Sequence, residues 1–223
     1  MTSSISVVIP AYNREQYLAA AISSTRAQTV TPSEIIVVDD GSTDGTAEVG
    51  RQLGVTLIQQ ANKGCGEARN AGVAAASGEF LAFLDSDDAW TPRKLELQVA
   101  ALTKDPALDM VFGEVIQFRG DPPAPDDQLA SREPGIVAGA MLIRRETFLR
   151  VGPFDPSLRV GEFIDWHARA KDIGLRELIL PEVVLLRRLH DSNLGLEAAA
   201  ARIDYTRVAR AALARRRAGG EAP

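Results

Sequence analysis

The feature that most restricts this chain is an apolar strand that ends in acids. Residues 80–90 read FLAFLDSDDAW: Phe80 to Leu84 form a buried-strand run, and Asp85, Asp87 and Asp88 follow with Ser86 between them. In open α/β sheets, ligands bind at the carboxyl edge of the strands. Carboxylates this close repel one another, and a hard divalent cation with oxygen ligands is one way to offset their charge. A solvated turn is the other reading, since Asp and Ser are good turn residues.

The same pattern occurs earlier. Glu34 to Val38 (EIIVV) reads as a second buried strand, and Asp39 and Asp40 follow it. Parallel strands share a direction, so both acid clusters fall at one sheet edge. Ile5 to Pro10 and Val55 to Ile58 complete a first set of short strands. Helices alternate with them: one from Arg14 with Tyr17, Leu18, Ala21 and Ile22 on one face, one over Thr46–Leu53 capped from Ser42, Thr43 or Asp44, and one over Glu67–Ala76. Ala68, Ala71, Gly72 and Ala75 give the third a small face suited to close packing on a sheet. This alternation predicts an α/β fold with a mostly parallel sheet and helices on both faces.

Further on, Thr91 and Pro92 predict the cap and first position of a helix that runs to about Lys104, and Met110–Phe118 reads as a strand. Arg119–Gly135 holds four prolines and reads as a loop beside the site, a linker or a surface insertion. Ala138–Ile143 resumes packing, and Arg145–Val151 is a short helix closed by Gly152-Pro153. In the helix Phe163–Ile173, Phe163, Trp166, Ala170 and Ile173 share an apolar face, while Glu162, Asp165 and Arg169 share another. Glu177–Leu180 and Val183–Leu186 read as two strands around Pro181, and a polar segment runs from Arg187 to Asn193. Residues 196–217 form a terminal helix with six arginines, read as packed on its own domain or in a dimer contact, with an anionic membrane surface as the alternative.

The 223 residues suit one large domain or one domain with an appendage, and the 45% apolar content supports a sizeable core. A net charge of −5 argues against nucleic-acid binding driven by overall charge. The single cysteine, Cys65, excludes an intramolecular disulfide. The start MTSSISVVIP lacks a basic n-region, and no segment has the roughly 18 consecutive apolar residues of a spanning helix. The expectation is a soluble, cytoplasmic protein. Neither G-x-x-x-x-G-K-[ST] nor G-x-G-x-x-G is present, so bound phosphates would be met by a metal and by basic side chains such as Arg14 and Arg69. No Ser-His-Asp or Cys-His arrangement can be assembled, and Cys65 reads as a bystander.

Taken together, SVVIPAYNRE at 6–15, EIIVVDDGSTDGT at 34–46, NKGCGEARNAGVAAASGEFLAFLDSDD at 62–88 and the segment from Gly139 to Asn193 resemble family 2 glycosyltransferases of the GT-A fold. The resemblance covers nearly all of residues 4–193. It implies one GT-A domain over 1–193, with a nucleotide-donor half at 1–105 and an acceptor half at 106–193, followed by a helical extension at 194–223.

What the resemblance implies can be placed by residue. Pro10, Ala11 and Tyr12, with Asn13 and Glu15, look like the nucleotide loop. Asp39, beside Asp40, looks like the reader of the base, an acceptor suited to uracil N3–H. Lys63, Arg69 and Asn70 match a motif near the base and diphosphate. Asp85, with Ser86, resembles the acid near the ribose or donor sugar. Asp87 resembles a metal ligand, with Asp88 assisting and His190 near the metal or diphosphate. Mn²⁺ or Mg²⁺ suits such a site, because a cation neutralises the charge of the departing diphosphate. The reaction implied is inverting, from a UDP-sugar to a hydroxyl acceptor (glycan, lipid-linked glycan, peptide or small molecule), with a carboxylate as general base. Here the chain departs from the family pattern. The family's Glu-Asp pair lines up with Glu162-Phe163, so the base is either Asp165 or Glu162. Phe163 also keeps open a second reading, a nucleotide-sugar-binding or scaffold protein that has lost its base. A nucleotidyltransferase is disfavoured because AYNRE is not a Gly-rich basic loop. The Q-x-x-R-W motif of processive members is absent. Donor sugar, acceptor and oligomeric state are left open.

Overall fold

The computed structural model describes residues 3–123, 131–190 and 198–220. In chain order the elements are β1 (Ile5–Ala11), α1 (Leu18–Arg26), β2 (Glu34–Asp39), α2 (Thr46–Gln52), β3 (Thr56–Gln59), α3 (Cys65–Ala75), β4 (Phe80–Phe83), β5 (Ala89–Trp90) and α4 (Lys94–Lys104). There follow β6 (Met110–Phe118), β7 (Arg132–Pro134), a 3-10 turn at Ala138–Ala140, β8 (Leu142–Arg144), α5 (Arg145–Val151), α6 (Glu162–Asp172), β9 (Glu177–Arg188) and α7 (Ala198–Gly220). The strands form one mixed sheet in the order β3-β2-β1-β4-β8-β6-β9-β5, with β7 on the side of β6.

Strands β3, β2, β1 and β4 are parallel, as the apolar runs predict, and β6 and β9 are parallel to each other. Strand β8 is antiparallel to both β4 and β6, so β6 and β9 run in the same sense as β4. The consequence is functional. The carboxyl ends of β1, β2, β4, β6 and β9 all reach one edge of the sheet, the edge that carries the acids.

The core runs continuously along these strands. Ile5, Val8, Ile9, Ile36, Val37, Leu81, Phe83, Met110 and Phe112 are buried within it. Helix α3 lies so close to β1 that a Cβ at Gly72 would sit well inside contact distance of Val8 Cγ1. Of the predicted small face, Ala68 and Gly72 are buried against the sheet, whereas Ala75 is exposed and Val73 is buried instead.

Four expectations change. Pro181 does not split the last strand: β9 is continuous, and register shifts against β6 between Phe112 and Val115 absorb the proline, which cannot donate to a ladder. Thr91 does not cap α4; its hydroxyl donates to the Val183 carbonyl at 2.8 Å, tying β5 to β9. Ile173 lies beyond the end of α6 and is 52% exposed, while Phe163, Trp166 and Ala170 hold the apolar face. Tyr17 precedes α1 and leaves the apolar face to Leu18, Ala21 and Ile22. Part of the Arg119–Gly135 loop (124–130), the end of the polar segment (Asp191, Ser192, Asn193), the first residues of the terminal helix (196–197) and residues 221–223 lie outside the described residues. Within the described part of that loop, Arg132–Pro134 forms β7. No helix of the described residues is long and apolar enough to cross a membrane.

Candidate active site

The loops after β1 and β2 are laced together. Asn13 adopts φ 52°. Its amide oxygen accepts from Thr43 N at 2.8 Å, and its own N–H donates to Ser42 Oγ at 2.9 Å. The Glu15 carboxylate accepts from Gly45 N at 3.0 Å. Asn13 and Glu15 are therefore loop fasteners. Pro10 and Ala11 are buried at the end of β1, whereas Tyr12 is 44% exposed and presents its ring at the edge.

Asp39 and Asp40 are both buried but differ in their partners. Asp39 Oδ1 accepts from Ser42 N at 3.0 Å and Oδ2 accepts from Gln59 Nε2 at 3.1 Å. Asp40 accepts from Gln60 Nε2, Lys63 N and Gly64 N at 2.7–2.9 Å and thereby shapes the turn into α3. Lys63 meets Asp40 through its backbone, and its side chain is exposed. Asn70 is spent on structure: its amide exchanges two hydrogen bonds of 2.9 Å with the backbone of Phe154.

The three acids after β4 point to different partners. Asp85 pairs with Arg69 at 2.7 Å. Asp87 Oδ2 lies 3.2 Å from Arg14 Nε and 2.9 Å from His190 Nε2. Asp88 Oδ1 accepts from Arg188 N at 2.8 Å. Burial, with Asp85 and Asp87 nearby, pushes the Asp88 carboxyl well above the usual range. Ser86 is buried between them. Because β9 runs parallel to β6, its carboxyl end delivers His190 to Asp87, where Tyr17 stacks on the imidazole at 5.2 Å and 13°.

Arg69 is the hinge of the site. One terminal nitrogen holds Asp85 and the other holds Glu162. Burial works against its charge, and Cys65, Asp85 and Glu162 more than restore it, so its pKa is raised. Gly66, one turn earlier on α3, lies against the Glu162 side chain. Glu162 thus stands beside Asp85 at the end of β4.

Asp165 does not join it. Its carboxylate pairs with Arg169 at 2.9 Å and with Arg215 of α7 at 3.2 Å. The shared face read from the i, i+3 spacing separates into two environments, because Glu162 occupies the first turn and reaches back to α3. Phe163 packs near Phe112, Trp166 and His167, with ring centroids 6.0–6.3 Å apart. Burial, with Glu162, Asp85 and Asp87 nearby, pushes the Cys65 thiol up against the opposing effect of Arg69, which disfavours its thiolate form.

A metal can be tested against this geometry. Among the described residues no three His, Cys, Asp or Glu side chains converge to form a complete cage. Asp87 and His190 do converge, and two protein ligands fit a cation that takes its other ligands from phosphate oxygens and water. Asp88 is turned to the Arg188 backbone instead.

A mostly parallel α/β sheet with acids at its carboxyl edge fits the GT-A class of glycosyltransferases. The profile described as Glycosyl transferase family 2 matches residues 6–151, and the chain belongs to that family. An uncharacterized glycosyltransferase of Nostoc sp. strain PCC 7120 is 35% identical over 226 residues, covering 88% of this chain and 68% of the relative. An Escherichia coli relative, named UDP-Glc:alpha-D-GlcNAc-diphosphoundecaprenol beta-1,3-glucosyltransferase WfgD, is 40% identical over 105 residues, 45% of this chain and 42% of its own. Among solved structures, S. aureus TarS 1–349 in complex with UDP matches with TM-score 0.72 at 23% identity, covering 95% of this chain and 65% of that one. The same protein in complex with UDP-GlcNAc matches with TM-score 0.71. The chain spans about two thirds of the length of the Nostoc relative and of the TarS structure.

Sequence reasoning missed Tyr17 and Arg188 as site residues. Arg188 lies over the rings of Tyr17 and Phe118 at 5.4 and 4.7 Å. The signal was available only in part: an Arg-rich run after a strand is visible, but its juxtaposition with Tyr17 is long-range.

Proposed function

We propose that this protein is an inverting glycosyltransferase that moves a sugar from a UDP-sugar to a hydroxyl acceptor, with Glu162 as general base. The observation that carries the reading is the Arg69 bridge between Asp85 and Glu162. It sets Asp85 and Glu162 at one edge, with no hydrogen bond to Glu162 Oε2 among the described residues. Arg69 engages Glu162 Oε1, which leaves Oε2 for an acceptor hydroxyl. Asp165 is unsuited to the role, since its oxygens face Arg169 and Arg215.

In the proposed step, the acceptor oxygen bonds to the anomeric carbon while its proton passes to Glu162. The bond from that carbon to the diphosphate oxygen breaks, and UDP leaves with the electron pair. Mn²⁺ or Mg²⁺, held by Asp87 and His190, would supply charge neutralisation for the leaving diphosphate. Arg69 holds Glu162 Oε1 in place beside Asp85. Asp39 remains the proposed base-reading acid, because it ends β2 beside the exposed Tyr12.

A second reading, nucleotide-sugar binding without transfer, draws on Phe163, which fills a core position where the family pattern has an acid. One experiment separates the two: UDP release measured across common UDP-sugars with Mn²⁺, for wild type and Glu162→Gln. Transfer or slow hydrolysis that falls about a hundredfold in Glu162→Gln supports the first reading. UDP-sugar binding with no turnover in wild type supports the second.

A further inference from the structure

Helix α6 starts without a cap of its own. Its N-cap residue, Gly161, has φ 78° and offers no side chain, and the next residue is Glu162. The backbone groups just before it are served from α7. Asp204 Oδ2 accepts from Arg159 N at 3.0 Å and from Val160 N at 3.4 Å. Arg207 pairs with Asp204 at 3.3 Å and donates to Ser157 Oγ at 3.2 Å. Tyr205 lies flat against Gly161, so that an added Cβ would come within 3.2 Å of its ring. On the far side of Glu162, Arg215 holds Asp165 at 3.2 Å and Asp172 at 2.8 Å.

Helix α7 therefore grips the chain on both sides of Glu162, and none of its described contacts involves Glu162 or the acids after β4. An acid that must meet an acceptor hydroxyl in one orientation needs its backbone held, since misplacement by about 1 Å can cost about a hundredfold in rate. Core packing holds the apolar face of α6 through Phe163, Trp166 and Ala170, and the contacts from α7 add a hold on the residues before Glu162 and on the polar side of the helix. We infer that α7 positions the general base, with Asp204 and Arg215 as positioning residues that set where Glu162 begins and how α6 is turned. The inference rests on the reading of Glu162 as the base.

The test uses the full chain, with UDP-glucose and UDP-GlcNAc as donors, Mn²⁺ present and water as acceptor. UDP binding is followed by calorimetry. Asp204→Ala should lower kcat about tenfold or more while donor KM and UDP affinity stay within about twofold, and Asp204→Asn, which keeps an acceptor oxygen, should recover much of the rate. Arg215→Gln, at a partly exposed position, should give the same split and serves if Asp204→Ala does not fold. A folded Asp204→Ala or Arg215→Gln with wild-type kcat overturns the inference. So does a loss of UDP binding in step with kcat, which would mark α7 as a general support of the fold. Failure of the underlying reading looks different: Glu162→Gln itself would retain turnover.

Discussion

His190 Nε2 lies 2.9 Å from Asp87 Oδ2, although the two residues are 103 positions apart. Tyr17 backs the imidazole from the opposite half of the chain. If this pair holds a divalent cation, loss of the backing ring should loosen the ligand without removing it. Tyr17→Ala is expected to weaken Mn²⁺ binding in the presence of UDP about tenfold, with Asp87→Ala weakening it more. Electron paramagnetic resonance titration of free Mn²⁺ reads both. Equal Mn²⁺ affinity in Asp87→Ala and wild type would remove this pair from the metal site.

Restoring the acid that the family pattern has at 163 should fail. The Phe163 ring is buried against Phe112 and Trp166, and a carboxylate there would lose that packing and bury a charge. Phe163→Asp is expected to cost about 3–5 kcal/mol in denaturant unfolding and to bring no gain in transfer. A stable variant with faster transfer would show that position 163 reaches the acceptor.

Lys94 is fully buried, with its ammonium nitrogen 2.6 Å from Gln98 Oε1, 3.2 Å from the Met141 carbonyl and over the Trp90 ring at 4.4 Å. Burial pushes its pKa well below the usual lysine value of 10.5, and these neutral partners do not reverse that. The sign follows from proton counting. Between the folded and unfolded pKa values the unfolded chain binds more protons, so stability rises with pH until the unfolded value is passed. Wild type should therefore gain melting temperature relative to Lys94→Met between pH 7 and pH 9.5. Parallel pH profiles for the two proteins would contradict this.

Gly72→Ala should destabilise through β1. The added methyl group meets Val8 and Val38, and neither a β-strand nor a helix in close contact can yield cheaply. The expected loss is about 1–3 kcal/mol. That corresponds to a fall of a few degrees in melting temperature at this chain length, read by thermal unfolding. An unchanged melting temperature would mean that α3 shifts without cost.

The first half of the chain was legible because its information is local. Apolar runs end in Asp39 and Asp85, and the parallel pairing of β1 with β2 and β4 puts both at one edge. Small residues at Ala68 and Gly72 announce the close helix–sheet contact. What was not legible depends on partners distant in sequence. Spacing places Glu162 and Asp165 on one helix face, but only the positions of Arg69 and Arg215 decide that one turns to α3 and the other to α7. Likewise Pro181 signals an interruption, whereas the register shift that accommodates it belongs to the pairing with β6. Thr91 carries the signature of a cap, and the nearby Val183 carbonyl takes its hydroxyl instead.

Arg69 has one positive charge and two claimants. A donor whose hydroxyls draw Asp85 away would leave the guanidinium to Glu162 alone, so the first substrate to arrive changes the electrostatic setting that the second one meets. Under the proposed roles of Asp85 and Glu162, the two substrates would then be coupled through one guanidinium. The expected kinetic form is a compulsory order, donor before acceptor, visible as competitive inhibition by UDP against the donor and noncompetitive inhibition against the acceptor.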